Sequence, residues 1–379
     1  MIDFKAFLAS KGEAYSNIDV DRAPRFWSEC AHLFSPPPIV QVIGTNGKGS
    51  TGRILADFCY RKGLKVAHYS SPHLLEINER FWIDGADAGD QALNEAHKRL
   101  LAKIGFKRAD WLSYFEYATF LAVELFSGRD LAIMEAGLGG EYDATSVLPC
   151  EALLITPIDY DHQHILGSAI EAIAETKLKA MRSTTILAKQ RHDVVYEIAN
   201  RIAARRGLTA LKARDLAPSL EHFTTKDSPQ FMAINRQLAF AAAVHLKLNP
   251  SVALFKTNPL RGRLTRVAPN IAIDVGHNVA AAIAVFKEYR SNQVTLIYNS
   301  FSDKDYKAIL RVLKPVVKRC LLIKLNHSRA ADEKAIVAAL ESLRIAWSEF
   351  DGVIDEKEEY LVFGGFGVVE AFLKVWNAR

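Results

Sequence analysis

Short apolar runs alternate with longer amphipathic stretches over most of this chain, and that alternation is the first limit on its architecture. Pro38–Ile43, Lys65–Tyr69, Leu131–Met134 and Ala152–Ile158 are nearly continuous in hydrophobic residues, as strands buried on both faces are. Between them Ser50–Lys62 and Phe115–Phe126 read as helices, and Gly63 stands where a helix ends in a left-handed residue. Residues 183–256 continue the pattern with more charge. The stretch Asn258-Pro-Leu-Arg-Gly-Arg263 reads as a linker, and a second series follows, with strands at Ile271–Asp274, Val294–Tyr298, Cys320–Lys324 and Tyr360–Phe363. Such alternation predicts mostly parallel sheets with helices on both faces. The expected fold is α/β: a P-loop-type domain over 1–257, a hinge at 258–263 that closes the chain over its ligand, and a smaller Rossmann-like α/β domain over 264–379.

Composition narrows the class without changing that picture. At 379 residues the chain is long enough for two cores, and its 49% hydrophobic and 24% charged content is ordinary for a globular protein. No apolar run reaches a membrane span, and Met1–Leu8 is too short and mixed for a secretory segment. Cys30, Cys59, Cys150 and Cys320 stand far apart and form no CxxC pair, which fits reduced cytosolic thiols and no zinc site. The net charge of +5 is spread along the chain with no basic stripe and no interleaved aromatics. A cytoplasmic monomer acting on small molecules is expected, with neither nucleic acid nor membrane as partner.

The chemistry is concentrated where predicted strands end. After Val40-Gln-Val-Ile43 come Gly44, Thr45, Asn46, Gly47, Lys48, Gly49, Ser50 and Thr51. Glycines let main-chain N–H groups approach phosphate oxygens, and a helix N-terminus adds partial positive charge. Lys48 brings a full charge, and the Ser50 and Thr51 hydroxyls suit Mg²⁺ or its water. The loop is not the common Walker pattern, because Val42 stands six residues before Lys48 and Gly49 separates the lysine from the first hydroxyl. Glu135 closes another strand and is an oxygen ligand for a hard cation such as Mg²⁺. Ser71, Pro72 and His73 follow the Lys65–Tyr69 strand, with Pro72 stiffening a turn that aims Ser71 and His73 at the crevice. Asp161-His162 follows the Ala152–Ile158 strand. In doubly wound sheets ligands lie beyond these carboxyl ends. The second series offers Asp274, His277 and Asn278 after one strand and Asp303-Lys304-Asp305 after the next. Asn278 or the aspartates of the second motif could equally be plain helix caps.

In order, Gly44-Thr-Asn-Gly-Lys-Gly-Ser50, Ser71-Pro-His-Leu74 with Asn78-Glu-Arg80, Glu135-Ala-Gly-Leu-Gly-Gly140, Asp143-Ala-Thr145, Asp161-His162, Gly262-Arg-Leu264, Asp274 with His277-Asn278, and Asp303-Lys-Asp305 make a specific set. The chain resembles the folylpolyglutamate synthase/dihydrofolate synthase family, relatives of the Mur ligases, over roughly 15–379. The resemblance implies a Mur-ligase-like ATP-binding domain and a C-terminal ligase domain. It implies an ATP- and Mg²⁺-dependent ligase that phosphorylates a pterin carboxylate and joins the acyl phosphate to L-glutamate. Lys48 and its loop would hold the β- and γ-phosphates, and Ser71, Glu135 and His162 the magnesium. Asn235 would contact adenine, while Arg263, Asp274 and His277 would reach the nucleotide. Lys177 would be carbamylated and bridge a second magnesium. The substrate would meet Ser71, Pro72, His73, Asp303 and Lys304.

The chain departs from the family pattern at several places. Glu141 stands where the family has Arg, Thr176-Lys-Leu-Lys179 replaces Glu-Lys-Ala-Gly, Phe231-Met232 replaces His-Gln, and Phe363-Gly-Gly-Phe366 varies a Gly-Ser stretch. Tyr15–Pro24 resembles an N-terminal stretch of bacterial members that carry both activities, so dihydropteroate and reduced folates are both expected acceptors. A peptidoglycan-type Mur ligase and a nucleotide-binding regulator without catalysis are the alternatives; Ser71-Pro-His and Asn78-Glu-Arg weigh against the first, Glu135, His162 and Asp303 against the second.

Overall fold

The computed structural model describes residues 3–12, 19–182, 184–225, 228–256, 260–290 and 292–378. The expected hinge at 258–263 and the Tyr15–Pro24 stretch therefore lie partly outside the described residues. Within them the chain forms two compact units. One comprises Met1–Ile158, Glu171–Phe223 and Met232–Pro259; the other comprises Asp159–Ile170, Thr224–Phe231 and Leu260–Arg379.

The first unit is built on β1 (Ile39–Ile43), β2 (Val66–Tyr69), β3 (Phe81–Ile83), β4 (Ala86–Asp87), β5 (Leu131–Glu135), β6 (Ala152–Ile155), β7 (Thr184–Leu187) and β8 (Ala210–Lys212). They pair in the order β4-β3-β2-β5-β1-β6-β7-β8, parallel except where β3 and β4 join antiparallel at one edge. Because alternate residues of a strand face opposite ways, the two faces can be read directly. Ala67, Tyr69, Ala132 and Met134 look into one core with Phe4, Phe7, Phe26 and Phe120, in which Phe26 and Phe120 have ring centroids 4.3 Å apart. His68 and Ile133 look the other way. There helix Lys48–Arg61 lies so close that a Cβ on Gly52 would fall 2.4 Å from His68 Nε2. Helix Met232–His245 packs beside it on the same face. Both faces are thus covered, which is why these strands are mostly apolar, with Gln41, His68 and Glu135 among the buried exceptions.

The helix after the glycine loop begins at Lys48, two residues before the sequence reading, because Gly47 takes the cap position with φ +90°. The antiparallel pair β3–β4 has no counterpart in the predicted elements. At three and two residues these strands are too short for a period-2 pattern to register.

The second unit carries β9 (Arg263–Ala268), β10 (Ile271–Asp274), β11 (Val294–Tyr298), β12 (Val317–Leu322), β13 (Trp347–Glu349) and β14 (Tyr360–Phe363). Their order is β13-β12-β11-β14-β10-β9, with β9 antiparallel at the edge beside β10. Leu296, Tyr298, Leu310, Leu340, Leu361 and Phe363 share its core. β10, β11 and β14 have the bounds that the apolar runs predict. β9 does not, since its residues are half-buried and mixed. Among the described residues no helix is long and apolar enough to cross a membrane.

Candidate active site

In the first unit β1 lies between β5 and β6, so the loop after it opens at the middle of the sheet. Two of its glycines, Gly44 and Gly47, are sterically required. A Cβ on Gly44 would fall 2.0 Å from Thr156 Oγ1, and one on Gly47 would fall 2.3 Å from Asn235 Oδ1. The loop is clasped between the end of β6 and helix Met232–His245. The N–H groups of Thr45 and Asn46 both donate to the Pro157 carbonyl, at 3.0 and 3.3 Å. The first bond of the helix proper runs from Thr51 N–H to Gly47 O, 2.9 Å, which leaves the first-turn amides of Lys48, Gly49 and Ser50 without an intrahelical acceptor. These are the amides available to an anion.

Side chains of the right kind surround that turn. Ser50 Oγ is buried and has no hydrogen-bond partner among the described residues, which is costly unless a ligand completes it. Thr51 Oγ1 donates to Asn235 Oδ1 at 3.4 Å. Glu135, buried at the end of β5, has Oε1 3.9 Å from Lys48 Nζ and accepts the Ser71 N–H on Oε2 at 3.1 Å. A carboxylate, an orphaned hydroxyl and the Ser71 turn form an oxygen-rich set beside a lysine, which fits Mg²⁺ next to a phosphate. Lys177, buried on helix Ile170–Leu178, donates from Nζ to the Gly44 carbonyl at 3.1 Å.

Two carboxylates shape the neighbouring turns. Glu79 accepts the N–H groups of Leu74, Leu75 and Glu76 at 2.7, 2.7 and 2.9 Å, which holds the turn after Ser71 and Pro72. Arg80 donates to His73 Nδ1 at 2.9 Å. Burial, and then the Arg80 charge, push the His73 pKa down to about 3, so this imidazole stays neutral. Asp143 accepts from Gly137 N, Leu138 N and the Thr145 hydroxyl at 2.8, 3.0 and 2.6 Å. Burial raises its pKa against those bonds. The glycine turn so formed rests on the helix of Lys177: a Cβ on Gly140 would fall 2.5 Å from Lys177 O. Glu141 N–H donates to Thr176 O at 3.1 Å, and its carboxylate lies 3.7 Å from Lys179 Nζ.

The second unit holds the other group. Asp161 Oδ1 accepts from Lys304 Nζ at 2.7 Å and from its neighbour His162 N–H at 2.8 Å. Its Oδ2 accepts from His277 Nε2 and Asn278 Nδ2, both at 3.1 Å. Burial opposes ionisation of Asp161, but His277, His162 and Lys304 together hold its carboxyl well below the usual range. Asn278 Oδ1 meanwhile caps helix Val279–Glu288 through Ala281 N–H at 2.9 Å, and Asp305 caps helix Tyr306–Leu313. Asp274 ends β10 and is buried. Desolvation raises its pKa to about 6 despite Arg263 and the Gly276 N–H, which donates at 2.7 Å. The Arg263 guanidinium lies 5.3 Å from the Phe366 ring centroid.

No family model matches the chain. Among curated proteins, the dihydrofolate synthase/folylpolyglutamate synthase of Escherichia coli is 29% identical over 378 residues, spanning 92% of this chain and 89% of the relative. The Haemophilus influenzae protein of the same description is 28% identical, with 95% and 93% covered. Among solved structures, Helicobacter pylori folylpolyglutamate synthetase is 34% identical, with 99% of this chain and 98% of that one aligned and a TM-score of 0.76. The chain belongs to the folylpolyglutamate synthase/dihydrofolate synthase family. E. coli FolC in complex with DHPP and ADP also matches, at 26% identity and a TM-score of 0.86 over 100% of this chain and 98% of that one.

For this family member the structure sorts the sequence-derived residues into two sets. Lys48, Ser50, Thr51, Ser71, Glu135, Lys177 and Asn235 gather around the glycine loop of the first unit. His162, Arg263, Asp274, His277, Asp303 and Lys304 belong to the second. His162 is the instructive case. It follows a strand of the first sheet by a few residues, yet its segment, Asp159–Ile170, folds with the second unit. Sequence reasoning missed the accepting role of Asp161 and the turn-holding role of Glu79. A carboxylate directly before His162, and a lysine set between two aspartates at 303–305, were the available signals.

Proposed function

We infer that the chain is an ATP- and Mg²⁺-dependent ligase that adds L-glutamate to dihydropteroate and to reduced folates. The observation that carries this reading is the strand-end set in the first unit. Glu135 binds the Ser71 turn and approaches Lys48, and the Ser50 hydroxyl is left for a ligand.

In this reading Lys48 and the first-turn amides hold the β- and γ-phosphates, and Asn235 touches adenine. Ser71 and Glu135 would hold magnesium, which would screen the phosphates from the incoming carboxylate, and the family resemblance makes His162 a further magnesium ligand. The acceptor carboxylate attacks the γ-phosphorus and ADP departs, leaving an acyl phosphate. The glutamate amine then attacks that carbonyl, phosphate leaves and the amine gives up a proton, so the products are an amide, ADP and phosphate. The protein's part is positioning and charge neutralisation. Lys177 belongs here too: addition of CO₂ to its neutral amine, with release of a proton, would give a carbamate, an anionic oxygen donor that would serve a second magnesium. Its burial against the glycine loop supports that role.

The test is ADP release by the purified protein with ATP, Mg²⁺ and L-glutamate, comparing dihydropteroate with tetrahydrofolate. Mass spectrometry should find a product heavier by one glutamate from both acceptors. One acceptor alone would reduce the reading to a single step, and no glutamate-dependent turnover with either would overturn it.

A further inference from the structure

We propose that Asp161 is the positioning residue of His162, and that Lys304 is the counter-charge that keeps Asp161 in place. The proposal rests on the reading of His162 as a magnesium ligand and goes beyond it.

His162 sits at φ +50°, ψ +37°, a left-handed conformation that is uncommon for non-glycine residues, though histidine enters it more readily than most, and the contacts around it hold it there. What faces the turn is one buried carboxylate with four donors, from His162 itself, His277, Asn278 and Lys304. Each distant donor is itself held. His277 Nδ1 lies 3.1 Å from Val275 O, and Asn278 is fixed by its capping bond to Ala281. Lys304 is flanked by Asp303 at 3.3 Å, which Arg329 holds in turn at 2.9 Å. The ends of β10 and β11 thereby fix a turn that arrives from far away in the chain. Lys304 and Asp161 side chains are 7% and 8% exposed. Removing the lysine leaves an undercompensated buried carboxylate, the condition in which a charge pair matters most. A residue that orients a metal ligand without touching the metal typically alters metal affinity or activity by about 10- to 100-fold.

The test compares Lys304→Met, Lys304→Arg and Asp161→Asn in the full chain by two measurements. Amide hydrogen exchange, which needs no turnover, should quicken at residues 159–170 in Lys304→Met and Asp161→Asn while β1 and β5 stay protected. Lys304→Arg, which retains the charge, should keep the protection. In ADP-release assays the Mg²⁺ concentration for half activation should rise about 10- to 100-fold in Lys304→Met, with the acceptor KM unchanged. Combining Asp161→Asn with Lys304→Met should do no more harm than the worse single change. Unchanged exchange at 159–170, equal loss in the Met and Arg variants, or additive effects would overturn the proposal. So would a raised acceptor KM with normal Mg²⁺ dependence, which would make Lys304 a substrate contact. An unmodified chain that makes no ADP with glutamate would instead sink the ligase reading, and the exchange result would still decide whether Asp161 holds the turn.

Discussion

The glycine loop of the first unit and the Asp161 cluster of the second both place charge at the ends of parallel strands, but they are assembled differently. The loop is a local object. Eight consecutive residues supply the turn, the amides, the lysine and the hydroxyls, and the fold adds mainly walls: Thr156 and Pro157 on one side, Asn235 on the other. The cluster has no local version. Asp161, His277-Asn278 and Lys304 meet only because β10 and β11 are separated by β14 alone in the sheet and because Asp159–Ile170 folds with them. A short continuous site tolerates distant change and fails on a single local one, whereas a site of three segments depends on every contact that joins them.

The sharpest way to break the first is Lys48→Ala. It should cut turnover by about a hundred- to a thousandfold or more with the fold intact; near-normal ADP release would remove the phosphate-loop assignment. Lys177→Ala should follow, with a large loss of activity that small added carboxylic acids partly restore. Failure of any such acid to restore turnover would argue against a carbamate.

Gly47→Ala probes the walls rather than the charge. At φ +90°, with its Cβ aimed at Asn235 Oδ1, alanine should cost about 1–3 kcal/mol of stability, read in a denaturant titration. An unchanged midpoint would mean that the clasp is loose.

In the second unit, Asp274→Asn tests a buried acid whose pKa is raised from 3.8 to about 6, first by desolvation. The folded state holds this proton more tightly than the unfolded chain does. Its contribution is therefore complete below pH 3.8 and fades as the pH rises through about 6. The asparagine variant should lose that decline and exceed the unsubstituted chain above pH 6 by on the order of 1–3 kcal/mol; parallel stability–pH curves would refute the shift. The smallest effect belongs to Glu141→Arg, which restores the family's charge but sets it against Lys179. That pair is partly exposed, so a change of about 0.2–1 kcal/mol at most is expected. A large loss of activity would give Glu141 a role in the chemistry.

Legibility followed the same division. The central strands of both sheets were readable because burial on both faces leaves a continuous apolar run, and the strand-end residues Glu135, Ser71 and Asp274 came with them. β3, β4, β9 and β13 were not: β3 and β4 are three and two residues long, too short for a pattern, and β9 and β13 are edge strands whose mixed residues fit a loop equally well. The glycine loop could be read as a phosphate cradle, but not the use of Thr45 and Asn46 N–H by Pro157, because Thr156 and Pro157 lie more than a hundred residues away. Asp143 and Glu79 could be seen as motif members, but not as the acceptors that hold the turns after Gly137 and Ser71.

What the sequence determined alone is the periodicity that makes two parallel sheets and the local chemistry of the glycine loop, since both depend on neighbours in the chain. Only the tertiary structure decided that His162 travels with the second unit and that Asp161 is encircled by His277, Asn278 and Lys304. Those contacts join residues 116 to 143 positions apart, and no local preference of the backbone encodes which distant donor will reach a buried carboxylate.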